Sequence, residues 1–173
     1  MSSASPSPRA VHASLLAALI LCMPMTGVDT APAIPTLRYD PPGGFVNGSD
    51  RESATWISEN LDGVIRVYPF RAFHGDFEGV FRRELFRDWV SALYREDQLL
   101  AQPLFTPITV KGAEAAISAA FKNFNNGAPR EHLRVAILAA GSVALVDFSA
   151  NSPQAFQRNW RSISRLLNSL RVL

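Results

Sequence analysis

Few residues in this chain have chemistry to offer. His74-Gly75-Asp76, with Glu78 close behind, brings an imidazole and carboxylates into one short stretch. His74 and Asp76 could act as two metal ligands, but no local spacing supplies a third and a fourth. A hydrolase would have to be built from His74, Asp76 and Glu78. The plainer reading is an exposed loop histidine beside a helix cap. The other histidine of the folded part, His132, follows Arg130-Glu131 at the start of a strand and reads as an edge residue. A serine nucleophile needs a histidine partner and an acid arranged in space, and no Gly-x-Ser-x-Gly turn occurs to place one. Gly43-Gly44 lacks the lysine and helix of a phosphate loop.

Two charged residues stand in apolar surroundings. Asp147 lies between Val146 and Phe148, where burial opposes its charge unless a partner is near. Arg66 or Arg134 on a neighbouring strand would pair with it; alternatively the carboxylate lines a pocket. Arg82 falls at the margin of a helical apolar arc, either lying along the packed surface or buried for a function. Asp147 and Arg82 are thus the candidate ligand-binding residues. No residue stands out as catalytic, metal-binding or cofactor-binding, and no cofactor is implied.

The elements that must hold these groups are legible in the pattern of the chain. Leu133 to Ala150 is an apolar run that folds back at Ala140-Gly141-Ser142, which predicts a hairpin of central strands covered on both faces. Gly63 to Phe73 is a strand interrupted by Arg66 and Pro69, so it is expected nearer an edge than the hairpin. Short strands are expected at Thr36–Tyr39, Ala54–Ser58 and Leu104–Val110. Ala113 to Phe124 fits a helical stripe, but Asn126-Gly127 follows directly, the layout of one strand turning into the next, and it is read as a strand with Ala115, Ile117, Ala119 and Phe121 inward.

Two helices complete the set. Asp76 begins one, with Phe77, Phe81, Leu85, Trp89 and Leu93 at helical spacing through Tyr94. Ser152-Pro153 begins the other, from Pro153 to Arg171, with Phe156, Trp160, Ile163, Leu167 and Leu170 on one side and Arg158, Arg161 and Arg165 on the other. The predicted fold class is α+β, a three-layer α/β/α sandwich with a mainly antiparallel sheet and one helix on each face.

Composition limits the function classes. With 47% hydrophobic and 18% charged residues in 173, the chain suits one globular domain. A formal net charge of +2 is too small a bias to argue for nucleic acid. The single cysteine, Cys22, excludes an intramolecular disulfide and a thiolate metal cluster. Residues 1–33 read as a secretory signal: Arg9 and His12 precede the apolar run Leu15 to Met23, and Ala31-Pro32-Ala33 places small residues at the cleavage positions. An uncleaved anchor and lipidation at Cys22 are the alternatives, the latter opposed by Leu21 where a small residue is needed. The mature domain is expected at 34–173, periplasmic or secreted, with no stable membrane span after signal removal.

The order of these features resembles the PsbP-like family, which includes the photosystem II extrinsic protein, a Ran-binding nuclear import factor and exported bacterial relatives. Tyr39 with Pro41-Pro42-Gly43-Gly44-Phe45, Val110-Lys111-Gly112, the hairpin and Phe156 to Val172 carry the likeness over nearly the whole mature chain. The resemblance implies an α/β/α sandwich and a non-catalytic accessory or assembly role, and it supplies no site residues. The functions to weigh are an exported protein that binds another exported or envelope protein, a small-molecule or lipid binder with a cleft between sheet and helix, and a hydrolase at His74.

Overall fold

Ala140 and Gly141 take positive φ, 45° and 64°, the left-handed backbone that a two-residue hairpin turn requires. They join β7 (Ala128–Ala139) to β8 (Ser142–Ala150), the hairpin at the middle of the protein. The computed structural model describes residues 33–49, 53–84, 102–125 and 128–173. The proposed leader with Cys22, the stretch holding Leu85, Trp89 and Leu93, and the Asn126-Gly127 turn lie outside the described residues.

The remaining strands are β1 (Leu37–Arg38), β2 (Phe45–Asn47), β3 (Ala54–Ser58), β4 (Gly63–Ala72), β5 (Leu104–Pro107), β6 (Ala115–Asn125) and β9 (Arg171–Val172). Seven of the nine described strands form one sheet in the order β2-β3-β4-β8-β7-β6-β5, every pairing antiparallel. The helices are α1, described over 77–84, and α2 (Pro153–Ser169). The chain is therefore α+β with a large antiparallel sheet and two helices.

The alanine-rich segment is strand β6. It pairs with β7 from Ala115↔Leu138 to Asn125↔Ala128, so tertiary pairing overrides the helix preference of alanine. Ile117, Ala119 and Phe121 are buried on the α1 side as expected, while Ala115 is exposed. The strand β4 is deeper than its interruptions suggest, because it hydrogen-bonds β8 at the centre of the sheet. Pro69 is accommodated by a bulge: Tyr68 pairs with Leu145 but Arg71 with Val143, three residues of advance against two.

Along β8 every second residue from Ser142 to Ala150 is fully buried and those between are half-buried. The buried face meets α2. Ile65, Val67, Leu133, Val135, Val146 and Phe148 pack there against Ala155, Ile163, Leu166 and Leu170, each large aliphatic contributing about 1.5–3 kcal/mol. On the opposite face Phe81 of α1 joins Ile117, Ala119, Phe121 and Ala136.

Ser152 caps α2 in an extended conformation, its Oγ accepting the Ala155 N–H at 3.1 Å, and Pro153 opens the first turn. Two details of this helix depart from the sequence expectation. Trp160 is 46% exposed, and Leu166 is buried in its stead. The cause is Asn159, whose amide donates to Asp62 Oδ1 at 3.0 Å and lies against Gly63. That contact turns Ala155, Ile163 and Leu166 to the sheet and Trp160 outward. The helix also ends at Ser169 rather than Arg171, because Arg171–Val172 is needed as β9, pairing with β1.

The glycine motifs have direct structural causes. Gly112 has φ +81°, and a Cβ there would stand 2.5 Å from the Val172 carbonyl oxygen. Only glycine lets the chain after Val110-Lys111 pass this close to β9, where Val172 N–H donates to Lys111 O at 2.8 Å. Gly44 has φ +76°, and its turn leads Phe45 into the core while Ser162 Oγ donates to Gly43 O at 2.6 Å.

Candidate functional site

Cross-strand register decides which side chains meet on the face beneath α1. Tyr68, Leu145 and Ala136 are register partners across β4, β8 and β7, and Val143 lies one same-face step from Leu145. These residues floor a cleft of about 380 Å³, within the range of small-molecule sites. Phe77, Val80, Phe81 and Glu84 form its wall, at the spacing that places them on one side of α1. Two edge-to-face ring pairs fix that wall: Phe77 with Phe73 at 6.2 Å and Phe81 with Phe105 at 6.3 Å.

The bulge at Pro69 shapes the cleft as well as the strand. In a regular strand Tyr68 and Arg71 would point to opposite faces. The extra residue turns Arg71 to the cleft side, where it joins Tyr68 among the lining residues, while Phe70 enters the α2-side core. Arg71 and Glu84 are exposed charged members of the lining. No ion pair among the described residues engages Arg71. A proline that breaks the alternation of a strand was the sequence signal for this arginine.

Asp147 stands in one row with both expected partners, since Arg66 and Arg134 are its register neighbours on β4 and β7. It pairs with Arg134, Nε to Oδ1 at 3.3 Å, with side-chain exposures of 14% for the acid and 24% for the base. Arg134 also lies over the Phe121 ring, 5.5 Å from its centroid. Asp147 is one same-face step beyond Leu145, so it neighbours the cleft without lining it among the described residues. Arg82 lies on the outer flank of α1, hydrogen-bonded to Glu78 and 4.4 Å from the Phe105 ring centroid. The structure does not bring Arg82 and Asp147 to a common site.

His132 stacks on Phe121 at 4.8 Å with the rings nearly parallel. Burial pushes its imidazole below the ordinary histidine value, and Arg134 and Arg130 add to that against an opposing effect of Asp147. It is thus a strand residue packed on the sheet. Asp62, in the turn before β4, gathers three side-chain donors. Its carboxylate accepts from Arg158 Nη2 at 2.5 Å, Ser58 Oγ at 2.8 Å and Asn159 Nδ2 at 3.0 Å. The Arg158 bond chiefly lowers its pKa to about 2, with Ser58 and Asn159 helping against desolvation.

His74, Asp76 and Glu78 are all exposed, and Glu78 is engaged by Arg82. Among the described residues no group of three or more His, Cys, Asp or Glu could hold a metal ion. No helix among them is long and apolar enough to cross a membrane. Sequence reasoning did not single out Tyr68, Arg71 or Glu84, which the fold brings together.

No family model matches the chain, and no curated protein matches it. Solved structures do. The chain is similar to LpqN of Mycobacterium tuberculosis, described as involved in cell envelope biogenesis, with 13% identity, TM-score 0.53, and coverage of 83% of this chain and 87% of that one. It is also similar to the cyanobacterial PsbP (CyanoP) of Synechocystis sp. PCC 6803, with 12% identity, TM-score 0.52, and coverage of 84% and 96%. At these identities the likeness is one of fold, and the chain has the PsbP-like fold.

Proposed function

We propose that this chain is an exported, non-catalytic accessory or assembly protein that acts by binding another exported or envelope protein. Residues 1–33 would direct it out of the cytoplasm, and residues 34–173 would form the working domain, a three-layer sandwich with α1 and α2 on opposite faces. The description of LpqN as involved in cell envelope biogenesis agrees with this by analogy of fold. The observation that carries the reading is an exposed apolar strip on the sheet face that α2 packs against. Leu104 is 70% exposed, its register partner Ala120 is also exposed, and the next partner in the row, Leu133, is already core. Trp160, stacked on Phe156 at 5.7 Å, is exposed on the helix that covers this same face. An exposed tryptophan and exposed aliphatics on one face are the composition of a protein interface.

The test combines export and contact. Alkaline phosphatase fused after Ala33 should be active, and an inactive fusion would sink the export step. A photo-crosslinking residue at position 160 of the full chain should give a discrete adduct in envelope extracts. The same residue at Arg165, in the exposed arginine stripe of α2, should give none. Equal labelling from both positions would remove the reading.

One observation favours a second reading. The cleft under α1 has the size and the apolar lining of a small-molecule or lipid site, with Arg71 and Glu84 as its charged groups.

A further inference from the structure

We infer that the cleft under α1 binds an amphipathic carboxylate, the chemistry of a medium-chain fatty acid, with its tail against Val80, Phe81, Val143 and Leu145 and its head group on Arg71. This rests on the second reading of function given above. The lining is apolar except for Tyr68, Arg71 and Glu84, so a purely polar ligand would leave most of the walls without partners. The volume of about 380 Å³ corresponds to about twelve heavy atoms at roughly 30 Å³ each, the share of a water molecule in the liquid. Decanoate has that size.

The head group is assigned by Arg71. The bulge at Pro69 turns this side chain toward the cleft from a strand held in the middle of the sheet. It is exposed and engaged in no ion pair among the described residues. A guanidinium is charged at every accessible pH and offers two parallel N–H groups that match a carboxylate. Glu84 shares the lining and opposes an anion, so it lowers the affinity. A cationic head group would need either Glu84 alone or a cage of ring faces. The rings of Phe77 and Phe81 are instead engaged edge to face with Phe73 and Phe105.

Titration calorimetry of the full chain with decanoate, decanol and decyltrimethylammonium tests the assignment. Decanoate should bind one to one. Arg71→Ala should weaken decanoate about tenfold or more, the usual effect of removing a charged hydrogen-bond partner, and leave decanol unchanged. Glu84→Gln should tighten decanoate. Val143→Trp, at a half-buried lining position opposite Arg71 on the cleft face, should fill the cleft and abolish both, with an unchanged melting curve showing that the fold is intact. Tighter binding of the ammonium probe, or an Arg71→Ala protein that holds decanoate as well as the parent, overturns the proposal. Binding of decanol without decanoate removes the head-group assignment and leaves the cleft reading standing. If none of the three probes binds, both fall, while the protein-binding reading is still judged by cross-linking at position 160.

Discussion

Replacing Asp62 with asparagine removes one charge from the cluster that locks α2 to the turn before β4, and its cost can be worked from the structure. The carboxylate is held by Arg158, Ser58 and Asn159, chiefly by Arg158, and its pKa falls from the ordinary 3.8 to about 2. Full linkage over that interval sets a ceiling of about 2.5 kcal/mol. Arg158 is 58% exposed, and solvent screening of such a pair reduces the expected loss to about 1 kcal/mol at pH 7. The sign is fixed by the depressed pKa. The contribution is complete above the unfolded value near 4 and is lost as pH falls through the folded value of about 2, where the folded carboxyl is itself half protonated. Urea unfolding of the parent and Asp62→Asn proteins at pH 7, 5, 3 and 2 should therefore give curves that differ by about 1 kcal/mol at the first two values and by only a small fraction of that at the last. A difference that stays constant down to pH 2 would refute the electrostatic account and leave only loss of packing.

Three further outcomes are expected. Gly112→Ala places a Cβ 2.5 Å from the Val172 carbonyl oxygen at φ +81° and should lower the urea-unfolding free energy by about 1–3 kcal/mol; an unchanged midpoint would show that β9 does not pass this close to Gly112. Asp147→Ala leaves Arg134 half-buried without this acid and should cost about 1–3 kcal/mol in the same measurement, whereas unchanged stability would end the structural pairing. His132, whose imidazole is held below its ordinary value by burial, resists protonation in the folded state. It should therefore make the protein lose stability as pH falls below about 6.5, the unfolded value. His132→Phe should flatten that part of the stability profile, and a slope that survives the substitution would assign it to another group.

Turn chemistry and the pattern of apolar residues were enough to reveal the hairpin and the serine cap of α2, because each depends on neighbours in the chain, whereas β6 fitted helix and strand alike and is decided by its pairing with β7. The depth of β4 was not legible. Arg66 and Pro69 look like edge features, yet Arg66 lies in a charged row with Asp147 and Arg134, and Pro69 sits in a bulge that needs no ladder hydrogen bond. The buried side of α2 was misplaced by one position for the same kind of reason. Trp160 and Leu166 both fit an apolar arc, and only the docking of Asn159 on Asp62 and Gly63 chooses between them.

Sequence alone determined the kind of protein: an apolar hairpin, two amphipathic helices, one cysteine, and no spacing that assembles a catalytic or metal set. Those are local quantities, fixed by periodicity, capping and composition. Tertiary structure decided what the surface can offer. Tyr68, Arg71, Glu84 and Leu145 come from two strands and a helix, and nothing in their spacing relates them. They meet because antiparallel register puts Tyr68 opposite Leu145, because one extra residue in β4 reverses the direction of Arg71, and because α1 packs across that face. Which side chains share a cleft is set by pairing and packing between distant segments, and that information enters only when the sheet is assembled.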